Sequence, residues 1–392
     1  MKPRAKTTTK AISVLTKAGI RNLLLTVHLY IGLVASIFLV SLSVSGAVIA
    51  FEDDLNRALN PEMLRVQPGG QHMSWDAVRA RIEQQEPGWK VVRYYFPQHP
   101  DESLYIRLRS VHAKQIKHMY VNQYTGAVLG DASVGNRFTL FMHALHVNLA
   151  EGVVGGRIVV ASTLALMLLA FSGIILWWPR KIFRFALRSP LPRLNNDMHR
   201  SLGFWSSLAM LMFSITGLLL HYQSAGKLLQ IMNENAVVVN LPGEGNSIVA
   251  LVAAAEKAAP GAAVIRIMLP EKKDEEILVQ ARFPEDHTPA GRTYMNLDPQ
   301  TGAVRTITSS RTSPRWLTAL VVYVREFHTG TILGTPTRVL VALLSLLLSV
   351  LALTGPMIWV NKKLAVYRGR RARKVRAEEI PTTPVRSYAS SK

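Results

Sequence analysis

The chain has 392 residues, 49% of them apolar, a formal net charge of +21 and no cysteine. Without cysteine it forms no disulfide, no cysteinyl iron–sulfur cluster and no Cys-x-x-Cys-His attachment of a covalent haem. The cations are concentrated in three short segments, a pattern that reads as membrane orientation and lipid-headgroup contact rather than nucleic-acid binding.

In chain order, a basic leader (1–21) precedes an apolar run over residues 23–51. Three more such runs follow at 157–178, 202–222 and 339–360. Each reaches the roughly 20 residues a helix needs to cross a hydrocarbon core. The first is far longer than the ~7–15-residue apolar stretch of a signal peptide, so it is expected to remain as an anchor. The leader carries six Lys or Arg, the segment 179–198 carries Arg180, Lys181, Arg184, Arg188 and Arg193, and the tail from Asn361 carries ten. By the positive-inside rule both termini and this middle loop are expected to be cytoplasmic. The expected organisation is therefore leader 1–21, span 22–51, exported segment 52–156, span 157–178, basic loop 179–198, span 199–222, exported segment 223–338, span 339–360 and basic tail 361–392.

The chain reads as a tandem repeat. A shift of 171 carries His28, Gly32, Ser45, Gly46 and Phe51 onto His199, Gly203, Thr216, Gly217 and Tyr222, and a shift of 182 carries His146, Gly152, Ser172, Gly173 and Trp177 onto His328, Gly334, Thr354, Gly355 and Trp359. In the exported segments "MYVNQYTGAVLG" (119–130) resembles "TYMNLDPQTGAVRT" (293–306), each reading as strand, polar turn with Gly126 or Gly302, and strand. Ahead of these lie helix candidates at 74–87 and 247–260, each closed by a proline, and alternating strands "KVVRYYFP", "ESLYIRLRS", "VIRIMLP" and "EEILVQARF". The expected fold is a membrane protein of four transmembrane helices as a two-fold repeat, with two small exported α+β modules.

The arrangement resembles the PepSY-associated transmembrane helix family over nearly the whole chain. The resemblance rests on the His-x-x-x-Gly openings "HLYIG" and "HRSLG", the Ser-Gly or Thr-Gly step near the far end of each span, and the doubled Thr-Gly-Ala-Val turns. Within that family it is similar to di-haem inner-membrane ferric-siderophore reductases of the ferrioxamine-reductase type. The resemblance implies two PepSY modules on the periplasmic side of a bacterial inner membrane, and reduction of Fe(III) in a siderophore there with release of Fe(II).

Of the eleven histidines, His72, His99, His112, His118 and His287 sit in polar segments and read as surface residues. His28 and His199 lie at matching points near the cytoplasmic ends of spans one and three, as axial ligands on pseudo-symmetric helices would. Gly32 and Gly203 follow one turn later on the same helix face, where a larger side chain would hold a flat porphyrin away from the helix wall; close helix packing is the competing role. Gly46 stands 18 residues from His28, about 27 Å at ~1.5 Å per residue. The histidines therefore divide into an inner layer, His28 with His199, and an outer layer, His146 with His328. Facing histidines in a four-helix arrangement can hold two non-covalent b-type haems with bis-histidine ligation. In the outer layer His143 and His221 are alternative ligands.

Zinc or non-haem iron would want three or four converging His and carboxylates, and a proton-coupled transporter would want intramembrane carboxylates; the spans bear almost none. No expected cytoplasmic piece exceeds about 33 residues, and none carries the glycine-rich signature of a dinucleotide domain, so electrons would come from a quinol or a separate reductase. Tyr94, Tyr95, Arg107, Arg109 and Arg292 are candidate lining for a substrate cleft above the outer layer. Two other readings stay open: a non-enzymatic, membrane-anchored binding or inhibitory module, and an iron or siderophore permease.

Overall fold

A computed structural model describes residues 17–113, 115–178, 188–224, 236–272, 275–286, 291–309, 311–312, 316 and 323–378. Arg180, Lys181, Arg184 and His287 lie outside them.

Four long helices form one end of the molecule: α1 (Lys17–Ile49), α7 (Gly152–Trp177), α8 (Leu191–Ser224) and α11 (Thr335–Glu378). Each is long and apolar enough to cross a membrane. A helix that satisfies its own backbone hydrogen bonds is the form in which such a run can sit in lipid. They pack in a ring, α1 against α7, α7 against α8, α8 against α11 and α11 against α1, which sets α1 diagonally from α8 and α7 from α11. Between the two ends of the ring lies a small core of Ala35, Leu39, Leu166, Ala170, Met210 and Ala352. Small side chains let the backbones approach closely, and hydroxyls add cross-links where lipid offers no hydrophobic drive between helices. Thus Ser43 Oγ lies 2.5 Å from Ser349 Oγ, joining α1 to α11. Helix α11 continues through Pro356 without a break, and Asn195 of α8 donates to the Thr354 carbonyl at 3.1 Å beside it.

Short helices α2 (Glu52–Leu59), α3 (Pro61–Leu64), α5 (Ala132–Gly135), α6 (Arg137–Asn148) and α10 (Val324–Thr329) connect this bundle to a sheet domain. The strands are β1 (Trp89–Tyr95), β2 (Leu104–Ser110), β3 (Ile116–Val121), β4 (Val128–Asp131), β5 (Val237–Leu241), β6 (Ala263–Met268), β7 (Ile277–Arg282), β8 (Thr293–Leu297) and β9 (Val304–Thr308). They form one nine-stranded sheet in the order β4-β3-β2-β1-β6-β7-β8-β9-β5. The two α+β modules expected from the sequence are therefore halves of one surface, joined antiparallel at β1 and β6 through Arg93 opposite Met268, Tyr94 opposite Ile267 and Tyr95 opposite Arg266.

Alternation decides which face is covered. Val91, Tyr94, Ile106, Leu108, Met119, Ile267, Val279, Met295 and Leu297 are buried beneath α4 (Trp75–Gln85) and α9 (Ile248–Ala258) in a single core. Ser74 caps α4 by accepting from Ala77 N at 3.2 Å, and Ser247 caps α9 by accepting from Ala250 N at 3.1 Å. The Asp76 carboxylate, in the first turn of α4, accepts from the backbone of Ile248 at 2.8 Å and Val249 at 3.1 Å. An acid from one half thus meets the positive helix end of the other. The two polar turns are side-chain-stabilised: Asn122 Oδ1 accepts from Tyr124 N and Asp298 Oδ1 from Gln300 N. Gly126 and Gly302 follow with φ of +68° and +70°, where a side chain would be strained.

Candidate functional site

The helix ring holds four histidines, two at each end. At the end away from the sheet, His28 of α1 has Nδ1 2.8 Å from Ser172 Oγ of α7, and His199 of α8 has Nδ1 2.9 Å from Thr354 Oγ1 of α11. At the sheet end, His328 of α10 has Nδ1 2.9 Å from Thr216 Oγ1 of α8, and His146 of α6 has Nδ1 2.8 Å from the Leu42 carbonyl of α1.

These contacts fix the tautomer. Ser172 donates its own hydroxyl proton to the Leu168 carbonyl at 2.7 Å, Thr216 to Met212 at 2.7 Å and Thr354 to Leu351 at 3.1 Å. Each hydroxyl oxygen is therefore left to accept, and the Leu42 carbonyl can only accept. All four imidazoles must donate from Nδ1, which leaves the Nε2 lone pair for an electrophile. Proteins orient a metal-ligating histidine by the same kind of bond from its other ring nitrogen.

Each ring also lies against a glycine. A methyl added at Gly46 would come 2.9 Å from His146 Cε1, at Gly217 3.1 Å from His328 Cε1, at Gly355 3.3 Å from His199 Cε1 and at Gly173 3.8 Å from His28 Cε1. The Ser-Gly or Thr-Gly step is thus a seat for an imidazole from another helix: the hydroxyl takes Nδ1 and the glycine admits the ring. Ser45 departs from this, because its hydroxyl is spent on the Ser41 and Leu42 carbonyls while His146 binds the Leu42 carbonyl itself. Sequence reading found the steps but not this role.

Gly32 and Gly203 seat no imidazole. A methyl at Gly32 would meet Leu169 at 3.6 Å and at Gly203 would meet Leu351 at 3.7 Å, both ordinary contacts. Packing between protein atoms therefore does not require glycine at either position.

His146 and His328 come together, with ring centres 6.1 Å apart and planes inclined by 55°. An ion accepting one nitrogen from each ring at about 2 Å would hold the ring centres about 6 Å apart. Burial holds both imidazoles below the usual histidine range, His328 down to about 3 with help from His146 and Arg325, and His146 against the opposing pull of the Leu42 carbonyl. Both rings are therefore neutral, as ligation demands. His28 and His199 stand on diagonal helices of the ring. Arg200, next to His199, packs on the ring of Trp177 at 5.9 Å, and Trp177 Nε1 is buried without a hydrogen-bond partner; an indole N–H and a guanidinium together suit an anionic edge at this level.

The two alternative outer ligands are the more exposed histidines. His143 is half exposed, with Nδ1 2.8 Å from Glu52 Oε2. His221 is exposed beside Gly156. Among the described residues no cluster of three or more His, Cys, Asp or Glu could hold a metal ion, so the donor set suits a group that brings its own equatorial ligands. Within α1, His28 and the seat at Gly46 are 18 residues apart, as are His199 and the seat at Gly217 within α8. At ~1.5 Å per residue the two layers lie about 27 Å apart along the helices.

Of the candidate cleft residues, Tyr94 is buried in the sheet core. Arg292 is buried in an ion pair with Glu326 of α10, and Arg109 is paired with Glu271. Tyr95 and Arg107 lie on the sheet face opposite the core.

Residues 25–362 match the family model described as the PepSY-associated TM region. The chain belongs to that family: a multi-pass membrane protein with a PepSY-type sheet domain. No curated protein sequence matches the chain.

Proposed function

We propose that the chain is a transmembrane di-haem electron-transfer protein, a haem-dependent ferric-siderophore reductase. Two non-covalent b-type haems would each be held by two imidazoles, His28 with His199 in the inner layer and His146 with His328 in the outer. The observation that carries the reading is the set of four half-buried histidines, each bonded at Nδ1 with Nε2 left over, two at each end of the helix ring, those at the sheet end with ring centres 6.1 Å apart. When bound, such haems supply a one-electron Fe(III)/Fe(II) couple at each layer.

The chain's residues do the rest. The hydroxyl and carbonyl acceptors orient the rings, the glycine seats let them approach the helices, and the apolar ring of spans keeps water from the interior. In this reading the two halves are tandem repeats, the protein sits in a bacterial inner membrane with both termini cytoplasmic, and the sheet is periplasmic. A quinol or a separate reductase donates at the inner layer. A ferric siderophore accepts at the outer, losing iron because the chelate holds Fe(II) far less tightly.

Protein purified in mild detergent is expected to show a b-type oxidised-minus-reduced spectrum with about two haems per chain. His28→Ala should remove about half. A colourless protein from haem-replete cells overturns the proposal and leaves an anchored binding module. Thr354→Val is expected to leave the His199 Nδ1 proton without an acceptor and to weaken haem retention at that layer by roughly 10–100-fold, measured as transfer to apomyoglobin; unchanged transfer would remove Thr354 from this role.

A further inference from the structure

The sheet face turned away from α4 and α9 carries a row of aligned side chains. Tyr120, Tyr105, Tyr95, Arg266, Gln280 and Tyr294 stand directly opposite one another across six neighbouring strands. Two residues along, His118, Arg107 and Arg93 form a second row. The face is joined at both sides to the helices that carry the outer histidines. Asn136, at the start of α6, donates to Tyr120 Oη at 2.8 Å. Arg292, next to β8, holds Glu326 of α10.

Three guanidiniums are concentrated here. Arg93 and Arg107 are directly opposed, an arrangement that costs stability because like charges repel. Arg93, Arg107 and Arg266 are all half-buried, and among the described residues none has a carboxylate within salt-bridge distance, whereas Arg109 has Glu271 and Arg292 has Glu326. The Nε atoms of Arg107 and Arg266 are buried without a hydrogen-bond partner. Partial compensation comes from neutral groups: Arg93 donates to Tyr95 Oη at 3.3 Å, Arg266 donates to the Gln280 side-chain carbonyl, and Arg266 lies 5.3 Å from the Tyr95 ring centre. Tyr105 Oη lies 2.6 Å from His118 Nδ1 and closes that side. Asp131, which acts on His118, and Glu52 and Asp53, which act on Tyr120, lie at the β3 side of the face.

Half-buried cations without counter-ions are expensive to keep, and a forked guanidinium is suited to bidentate oxyanions. We propose that Arg93, Arg107 and Arg266, walled by Tyr95, Tyr105 and His118, form a binding site for a small ligand bearing several carboxylate or phenolate oxygens. Resting on the function proposed above, this makes the substrate a negatively charged ferric chelate rather than a cationic one.

The test uses the full chain in phospholipid-free detergent, titrated calorimetrically with ferric citrate as the anionic chelate and ferrioxamine B as the cationic one, with haem absorbance recorded on the same samples. Ferric citrate is expected to bind more tightly, Arg93→Gln, Arg107→Gln and Arg266→Gln each to weaken it at least tenfold, and Arg305→Gln, on β9 and paired with Glu276 and Asp298, to leave it within twofold. Wild-type binding is expected to fall as ionic strength rises, a readout that needs no variant to fold. Equal binding of the two chelates, insensitivity to the three substitutions, or salt-independent binding overturns the site. Binding of phosphatidylglycerol micelles at these arginines without competition from ferric citrate also overturns it, reassigning the face to lipid phosphate. Arginine-dependent ferric citrate binding by a haem-free protein would uphold the site and sink the redox function instead.

Discussion

His146→Ala is expected to remove about one haem of the two, and His143→Ala to remove none, although the residues stand three apart on α6. His146 has its Nδ1 proton on the Leu42 carbonyl, its ring on Gly46 and its partner His328 6.1 Å away between ring centres. His143 is half exposed and bonded to Glu52. A lone imidazole left by His146→Ala would hold a haem weakly, because one axial bond and the whole ring seat are lost together. Haem per chain and the spectrum of the surviving layer read the outcome. Loss of haem in His143→Ala with retention in His146→Ala would exchange their roles.

The second large effect is expected at Arg292. Its guanidinium meets Glu326 and lies 3.7 Å from Asp286, and the side chains of both acids are 0% exposed. Arg292→Met would strand the Glu326 carboxylate in the interior and remove a cation from beside Asp286, which keeps the Phe283 N–H at 2.9 Å, a loss of roughly 3–5 kcal/mol. Because Glu326 sits two residues before His328 on α10, the damage should reach the outer layer: a lower unfolding temperature together with haem loss confined to that layer. Replacing all three by apolar residues of similar volume should recover much of the stability, since a buried ion group is costly to break and cheap to omit. An unchanged unfolding temperature in Arg292→Met would show that the group does not fasten the sheet to the histidine helix.

Much of this was legible in the sequence for physical reasons. Uninterrupted apolar length announces a spanning helix, and alternation in "VVRYY" and "LYIRLRS" announces a strand with one covered face. The histidine candidates stood out because His28 and His199, and His146 and His328, recur at fixed offsets. What alternation does not encode is which edge meets which. The junction of β1 with β6 joins residues about 170 positions apart, and nothing local marks it. Neighbouring tyrosines show the same limit: a shift of one residue sends Tyr94 into the core and Tyr95 to the open face. The helix α10 escaped because it is short and lies between the polar sheet and the apolar spans, without a clear stripe of its own. The Ser-Gly and Thr-Gly steps were visible as motifs, yet their partners, such as His28 for Ser172, lie 144 residues away. Gly32 and Gly203 were visible in the same way, one turn from a histidine; the imidazoles lean on Gly173 and Gly355, and protein packing asks for glycine at neither Gly32 nor Gly203.

The seam between β1 and β6 also governs how the molecule can be divided. Severing the chain in the basic loop after α7 would leave two pieces, each with a bare strand border, and such borders invite indiscriminate pairing and aggregation. Co-produced fragments should instead zip back along Tyr94 and Ile267, helped by the Asp76 clasp on α9. Neither piece made alone should be well behaved.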